Sequence, residues 1–234
     1  MKFRTKRSLR PRVRLNMAMT ADGKIATANR VVSSFSSRRD RDHMLALRAA
    51  ADAVMAGART VDLAKVHLGP GALKYRRLRL RHGLAEFNLR IVVSGSGSLD
   101  PGAEIFRHRF SPVLVLTTRR ISKARLLRLQ AVTDDVRICG QNQINFHAAL
   151  RWLRTKWNVK SLLCEGGGEL NDALFRADLV DEIHLTICPK IFGGRRAPTI
   201  SDGIGAPNLP AARSFRVKSI QRQKDELFTV LERV

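Results

Sequence analysis

One segment in the second half of the chain constrains the fold most. Residues 161–175, SLLCEGGGELNDALF, pass from a short apolar run through a carboxylate and three glycines into apolar residues at helical spacing. This order predicts a strand, a tight turn and a helix. Such a turn can bind phosphate, because glycine N–H groups approach an anion without a Cβ in the way and the helix start adds positive charge. A plain turn between a strand and a helix explains the same residues, so both interpretations stay open.

The composition suits an α/β domain and gives the chain a strong positive charge. Its 234 residues are enough for one large domain with a sizeable core, and only 6% are aromatic. The formal net charge is +23 and the pI is near 11.5. Such a charge favours anionic partners, which include nucleic acids, acidic membranes and phosphorylated small molecules. It does not choose among them.

The cysteines and the amino-terminal residues bear on location and domain organisation. Cys139, Cys164 and Cys188 are widely separated and form no CxxC or Cys/His ligand pattern. We therefore expect no metal site and interpret them as buried, reduced thiols of a cytoplasmic protein. No signal peptide or membrane span is recognisable in the sequence. Residues 1–10 are interpreted as a basic flexible tail and residues 11–234 as one domain.

Apolar periodicity predicts strands that alternate with helices and a final pair of strands. Strands are expected from residue 13 to the turn at 20–24 and at 51–57, 89–93, 112–118, 132–139, 161–164, 183–188, 214–220 and 227–233, and helices after residue 37 and at 122–130, 145–157 and 168–177. This order predicts a three-layer α/β sandwich whose central sheet is mostly parallel, with an antiparallel C-terminal edge. Ligands of such sheets bind beyond the carboxyl ends of the strands. The turns at Asp22, Gly57, Ser94 and Gly166 are therefore expected to share one cleft.

Two basic segments allow two interpretations each. Ser37 precedes a helix and is either its N-cap or, with Arg41 nearby, part of an anion site at the helix start. The dense Arg/Lys series from Lys74 to His82 is either a loop with a function or a solvated face. A nucleic-acid-binding protein is a further alternative, but Tyr75 is the only aromatic residue in this series, and single-strand binders interleave aromatic with basic residues.

Taken together, four segments resemble the reductase domain of riboflavin biosynthesis, a family with a dihydrofolate-reductase-like fold. The matching residues are Arg10–Ala26, Leu47–Val61, Cys164–Asn171 and Val180–Gly194. They occur in the family's order over about nine tenths of the chain. Each segment is only moderately specific, whereas the ordered set is specific.

The resemblance implies an NADPH-dependent reductase that converts a phosphorylated ribosylamino-pyrimidine to its ribitylamino form, by hydride transfer to C1′ of the opened ribose. It also implies a homodimer. The cofactor carries the redox chemistry and the protein orients the substrate against it. The residues implied in cofactor binding are Gly57, Thr60, Val61, Ser94, Gly166, Gly167, Gly168 and Leu170.

The same resemblance assigns residues to the substrate. Asp22 would orient or protonate the reacting amine or ribose oxygens, and Glu165 would accept hydrogen bonds from the amino groups of the pyrimidine. Asn16 would contact the substrate, and Ser37 and Arg41 would hold its phosphate at the helix start.

The chain also departs from the family. Asn16 stands where many bacterial members carry lysine, Arg59 replaces a small residue, and an Asp-Asp-Pro segment is not recognisable after Val61. No zinc deaminase signature is present, so deamination is not expected. Whether the pyrimidine is reduced before or after deamination stays open. A related reductase of another pterin or flavin precursor is the alternative enzyme.

Overall fold

Nine strands form one mixed sheet in the computed structural model, which describes residues 9–30, 35–64 and 66–234. The strands are β1 (Arg12–Thr20), β2 (Ala53–Gly57), β3 (Leu89–Val93), β4 (Val113–Thr117), β5 (Asp135–Ile138), β6 (Ser161–Cys164), β7 (Glu182–Cys188), β8 (Phe215–Gln223) and β9 (Glu226–Arg233). Their order across the sheet is β5-β4-β3-β2-β6-β1-β7-β9-β8. All pairs are parallel except β7 with β9 and β9 with β8.

Seven helices join and cover these strands within the described ranges. They are α1 (Arg38–Ala49), α2 (Ala58–Ala64), α3 (Leu73–Arg81), α4 (Glu104–Arg107), α5 (Lys123–Val132), α6 (Phe146–Lys156) and α7 (Gly168–Arg176), and a 3₁₀ turn spans Leu209–Ala211. Local sequence sets several of the helix starts. The side chains of Ser37, Ser122 and Asn145 accept hydrogen bonds from backbone N–H groups in the first turns of α1, α5 and α6, which satisfies donors that the helix itself leaves free.

Helices pack on both faces of the sheet and produce two hydrophobic cores. One core joins α6 and α7 to the inward residues of β1, β2 and β6, and the other joins α1, α2, α4 and α5 to the opposite face of β2, β3 and β4. Leu150 and Leu153 of α6 are fully buried. Each contributes about 1.5–3 kcal/mol relative to an exposed side chain. The predicted three-layer sandwich with a mostly parallel sheet and an antiparallel C-terminal edge is confirmed.

The basic series from Lys74 to His82 forms a helix, which periodicity alone did not indicate. Arg79 of α3 is 1% exposed, and its guanidinium donates to the carbonyls of Arg48, Ala51 and Ala85 at 2.6–2.8 Å. Two of these carbonyls lie at the end of α1, where a helix leaves acceptors unsatisfied. One arginine of the series therefore fastens α3 to α1, while most of its neighbours face solvent.

The three cysteines are free and buried, as expected from the apolar runs around them. Burial raises the pKa of the Cys164 thiol to about 12, so this group stays protonated at neutral pH. Among the described residues, no helix is long and apolar enough to cross a membrane. The cytoplasmic location stays a prediction.

Candidate active site

A large cavity of about 1210 Å³ lies beyond the carboxyl ends of β2, β3 and β6. Its walls come from the turn after β2, the turn after β3, the start of α6 and the glycine turn that opens α7. Parallel strands bring their carboxyl ends to one edge of a sheet, which is where α/β folds place ligands. The expected cleft therefore exists for three of the four strand-end turns.

The predicted residues divide into those that line this cavity and those that do not. Lining residues are Gly57, Thr60, Ser94, Glu165, Gly167, Gly168 and Leu170. The others are Asn16, Asp22, Ser37, Arg41, Val61 and Gly166, of which Val61 is buried in the core with 1% of its surface exposed. The roles of all these residues stay predictions.

At two of the three glycines in the turn, Gly166 and Gly168, the neighbouring atoms lie so close that a larger residue would not fit. Gly57 donates its N–H to the carbonyl of Gly166 at 2.8 Å, which joins the turn after β2 to the turn after β6. A Cβ on Gly168 would lie 2.6 Å from the carbonyl oxygen of Thr199, and Gly166 has a φ of +77°. The Gly166–Gly167 peptide bond is cis. Bare backbone therefore faces the cavity at the start of α7.

Glu165 is held by a buried arginine that the sequence did not single out. Arg48 of α1 donates Nε and Nη2 to the two carboxylate oxygens of Glu165, both at 2.6 Å, and Nη1 to the carbonyl of Gly69 at 2.7 Å. The side chains are 6% and 10% exposed. A bidentate pair of this kind is charge-assisted and fixes the plane of the carboxylate. Glu165 is thus oriented at the cavity wall, and among the described residues only Arg48 bonds its carboxylate.

Asp22 closes the turn after β1 and lies outside the large cavity. Its carboxylate accepts hydrogen bonds from the Thr20 hydroxyl at 2.5 Å and from the backbone N–H groups of Phe192 and Gly193 at 3.2 and 2.7 Å. The Thr20 hydroxyl and these N–H groups lower the pKa of Asp22. An ionised Asp22 therefore joins the segment after β1 to the segment after β7.

The start of α1 already carries an acidic partner. The Ser37 hydroxyl and backbone N–H donate to Glu226 of β9 at 2.5 and 2.7 Å, in addition to the capping bond from Asp40. The N-cap interpretation of Ser37 is confirmed. A phosphate bound here would meet the Glu226 carboxylate, whereas Arg41 points from the first turn of the helix into exposed space.

A buried polar strip runs beneath α1. Asn16 is 7% exposed, and its Oδ1 has no hydrogen-bond partner within the described part of the chain. It pairs in register with His184 of β7. His43 Nε2 lies 3.3 Å from His184 Nδ1, and His184 Nε2 lies 2.9 Å from Glu182. Burial lowers the pKa of both histidines. An unsatisfied buried acceptor is costly, so Asn16 is suited to a donor supplied by a ligand.

Several cavity residues were not identified from the sequence. Asn145 and His147 at the start of α6, Arg30 before the segment 31–34, and Arg176 of α7 all line the cavity. Arg59, a departure from the family that could reach a cofactor phosphate or partly fill the cleft, pairs with Glu169 at 3.0 Å at the exposed wall. These residues come from distant parts of the sequence and carry no local motif.

The charged groups of the cavity nearly balance. Three arginines and four carboxylates line it, so the large positive charge of the chain is not concentrated here. No grouping of His, Cys, Asp and Glu suited to a metal ion occurs among the residues that the structure describes.

Together these features define an α/β domain of the dihydrofolate-reductase-like type. At the carboxyl edge of its sheet lies the glycine turn Gly166–Gly168, which we call the glycine cradle. Residues 11–228 match the family model of the RibD C-terminal domain, and the chain belongs to this family.

Curated relatives carry reductase names. The chain is 32% identical over 195 residues to the 2,5-diamino-6-ribosylamino-4(3H)-pyrimidinone 5′-phosphate reductase of Archaeoglobus fulgidus, which covers 83% of this chain and 88% of that protein. It is 30% identical over 217 residues to the enzyme of the same name from Methanothermobacter thermautotrophicus, covering 90% and 92%.

A solved structure supports the same fold. The pyrimidine reductase-like protein of Corynebacterium diphtheriae superposes with a TM-score of 0.81 at 21% sequence identity, covering 96% of this chain and 92% of that one.

Proposed function

We propose that this chain is an NADPH-dependent reductase of a phosphorylated ribosylamino-pyrimidine in riboflavin biosynthesis. The observation that carries the proposal is the glycine cradle, whose bare backbone opens into a cavity of about 1210 Å³. The cavity is large enough for a dinucleotide together with a substrate. The undeaminated 2,5-diamino compound is the preferred substrate, because the two archaeal relatives of similar length carry its name.

The cradle fits the pyrophosphate of a nicotinamide cofactor. Residues Gly166, Gly167 and Gly168 would hold it with backbone N–H groups at the start of α7. Gly57 and Thr60 would border the nicotinamide or its ribose, Val61 would support them from the core, Leu170 would line the same cavity, and Ser94 would contact the adenosine end. When bound, the nicotinamide supplies the hydride that reduces C1′ of the substrate. The chain's task is to orient C1′ and to exclude water from the cavity.

Asp22 is better suited to orientation than to protonation. Three hydrogen bonds lower the pKa of its carboxyl group, so at neutral pH it is a carboxylate that accepts. We infer that Asp22 fixes the turn after β1 and accepts a hydrogen bond from a ribose hydroxyl or from the amine.

Glu165 would recognise the pyrimidine. Arg48 occupies one lone pair on each carboxylate oxygen, and the second lone pairs can accept from the amino groups of the base. Asn16 would contribute its unsatisfied Oδ1 to the same substrate. Ser37 and Arg41 would hold the phosphate, provided that the Ser37 hydroxyl exchanges Glu226 for the ligand.

Enzyme assays test the proposal directly. Purified protein is incubated with NADPH and with either the diamino compound or its deaminated product, and loss of the nicotinamide absorbance is followed. We expect oxidation with the diamino compound and a larger rise of melting temperature with NADPH than with NADH, because a ligand that binds only the folded state stabilises it. The absence of oxidation with both pyrimidines would refute the proposal.

Sedimentation in the same buffer tests the proposed homodimer.

A second substrate is favoured by one observation. The segment after Val61 lacks the family's Asp-Asp-Pro sequence and forms α2 followed by a loop instead. A reductase of another pterin or flavin precursor would keep the cradle and change this segment. Turnover of dihydropterins in the same assay, with none of either pyrimidine, would select this alternative.

A further inference from the structure

A second cavity lies at the opposite edge of the sheet. It measures about 570 Å³ and is formed where β1, β6 and β7 begin and β9 ends, next to the last turn of α6. We call it the basic cavity, because its lining includes six cationic and two acidic side chains: Arg10, Arg12, Arg154, Lys160, Arg216 and Arg233, with Asp181 and Glu232. The local excess is four positive charges.

The two carboxylates of the basic cavity are already engaged. Asp181 receives both terminal nitrogens of Arg10 at 2.7 Å and the backbone N–H of Val13 at 2.7 Å. Glu232 receives Arg216 at 2.9 Å and lies 3.6 Å from Arg12. Neither carboxylate pairs with the two remaining cations, which come from the last turn of α6 and from the residue before β6.

Those cations are Arg154 and Lys160. The Arg154 guanidinium contacts the neutral side chain of Asn158 at 3.2 Å. Among the described residues, neither the Arg154 nor the Lys160 side chain has a carboxylate partner. Like charges gathered in a concave surface repel one another, and low-dielectric walls strengthen the field. An anion bound between them would remove this repulsion.

The lining also indicates which anion fits. Guanidinium groups bind phosphate through two parallel hydrogen bonds, and an ammonium group binds it as a point charge. No aromatic side chain lines the basic cavity, so stacking on a nucleobase is not part of the recognition. We propose that the basic cavity binds a ligand with several consecutive phosphate groups, recognised through its phosphates alone.

The proposed reaction does not account for this cavity. Strand β6 separates Lys160 of the basic cavity from Gly166 of the glycine cradle, and these six positions correspond to roughly 20 Å at about 3.3 Å per residue. The cavity around the cradle has one more carboxylate than cation. Binding at the basic cavity can therefore be measured independently of NADPH and pyrimidine.

A matched pair of double variants tests the proposal. Arg154→Gln with Lys160→Gln removes the two cations that lack acidic partners. Lys123→Gln with Arg128→Gln removes two exposed cations of α5 and gives the same net charge. Binding is measured by calorimetry with inorganic tripolyphosphate and with inorganic phosphate, and by fluorescence anisotropy with a short labelled oligothymidylate over a range of salt concentrations.

We expect the wild-type protein to bind tripolyphosphate more tightly than phosphate. The basic-cavity variant should bind roughly tenfold more weakly, and the slope of log K against log salt for the oligonucleotide should fall by about 1.4, because each phosphate contact contributes about 0.7 for a single strand. The α5 variant should change binding by less than about threefold. Melting temperature and NADPH binding should stay unchanged in both.

The remaining outcomes separate the source of the phosphates from failure of the proposal. Tight binding of tripolyphosphate identifies a small polyphosphate as sufficient, whereas tight binding of the oligonucleotide alone identifies a nucleic-acid strand. Equal weakening in both double variants would show a general charge effect and overturn the proposal. So would equal affinity for phosphate and tripolyphosphate with no binding of the oligonucleotide.

Discussion

The two cavities lie at opposite edges of one sheet and differ in the balance of charged side chains that line them. The cavity around the glycine cradle presents backbone N–H groups, and its three arginines face four carboxylates. The lining of the basic cavity carries six cationic side chains against two carboxylates. A fold can therefore provide for phosphate either with helix-end backbone or with arginine side chains. The net charge of +23 is consistent with a site built from arginine side chains, but it does not indicate a site built from backbone N–H groups.

Burial separates the two cavities further. Arg48 and Glu165 are 6% and 10% exposed in their ion pair, and Arg48 also donates to the carbonyl of Gly69. Lys160 of the basic cavity is exposed. Removing one partner of a buried pair leaves an uncompensated charge in a low-dielectric environment, whereas an exposed cation is solvated by water.

The largest expected effect follows from that difference. Arg48→Met should lower the free energy of unfolding by about 3–5 kcal/mol, because Glu165 would remain buried without a partner. For a chain of this size, this corresponds to a fall in melting temperature of roughly 6–20 °C. Lys160→Met should stay within about 0.5 kcal/mol, because Lys160 is exposed. Urea unfolding of both variants measures the contrast.

Repeating Arg48→Met in a protein that already carries Glu165→Gln shows whether the loss of stability comes from the ion pair. In Glu165→Gln protein, Arg48→Met should cost less than in the wild type, because no carboxylate is left unpaired. Equal costs in the two backgrounds would show that Arg48 stabilises the fold through Gly69 and packing alone.

The next largest effect is expected on NADPH affinity when a glycine of the cradle is replaced by alanine. A Cβ on Gly168 would lie 2.6 Å from the Thr199 carbonyl, whereas a Cβ on Gly57 would meet its nearest atoms at 3.7 Å. Gly168→Ala must therefore shift the start of α7. We expect NADPH to bind at least about tenfold more weakly, a loss of about 1.4 kcal/mol, and Gly57→Ala to change affinity less than about threefold.

The NADPH-induced rise in melting temperature, compared with each variant's own ligand-free value, measures this loss. The ligand-free value separates weaker binding from lower stability. Unchanged NADPH binding in Gly168→Ala would place the cofactor's pyrophosphate elsewhere.

Much of the fold was predictable because its signals are local. Alternating apolar residues predicted the strands, and the apolar stripe on residues 145–157 predicted α6; the Asn145 cap is seen only in the structure. The C-terminal strand pair followed from two apolar runs around a polar turn. The position of Gly57 and Gly166 after parallel strands predicted that their turns share one cleft, and a hydrogen bond joins the two turns.

The missing parts depend on contacts between distant residues. Arg48 and Glu165 are 117 positions apart, and Ser37 and Glu226 are 189 positions apart, so no window of sequence shows either pair. Helix α3 has no apolar stripe, and hydrogen bonds from Arg79 and Tyr75 join it to α1. Tertiary hydrogen bonds overrode the local pattern there.

A smaller effect should appear at the exposed wall of the cradle cavity. Glu169 pairs with Arg59 at 3.0 Å, and both side chains are more than half exposed. Glu169→Gln removes one of the four carboxylates that an anionic cofactor meets. NADPH affinity should rise by up to about fivefold at low salt, the range of an exposed ion pair, and the gain should shrink at high salt.

Glu86→Gln is the matched control for that change. It removes the carboxylate of the partly exposed Arg76–Glu86 pair at 2.9 Å, away from the cavity. An equal rise in NADPH affinity in the two variants would mean that affinity depends on the net charge of the protein rather than on the carboxylate at the cavity wall.

The smallest effect concerns the polar strip under α1, which lies between the two cavities. Glu182 bonds His184 and also Arg12, a residue of the basic cavity. Burial would raise the pKa of Glu182, but the hydrogen bonds from Lys218 and His184 lower it to about 2, so it stays ionised above that pH. With this acceptor, His43 donates to His184 and His184 donates to Glu182, and both rings are neutral.

Protonation of these histidines should weaken the fold below pH about 6.5. Because burial lowers the pKa of His43 and His184 in the folded state, the unfolded chain binds more protons there, and stability falls as pH falls through the unfolded value. His43→Gln should reduce the drop in melting temperature between pH 7.5 and 5.5, by about 2–4 °C for each kcal/mol removed. His147→Gln, which alters an exposed histidine of α6, should leave the drop unchanged. An identical drop in wild type and His43→Gln would show that the pair does not couple folding to pH.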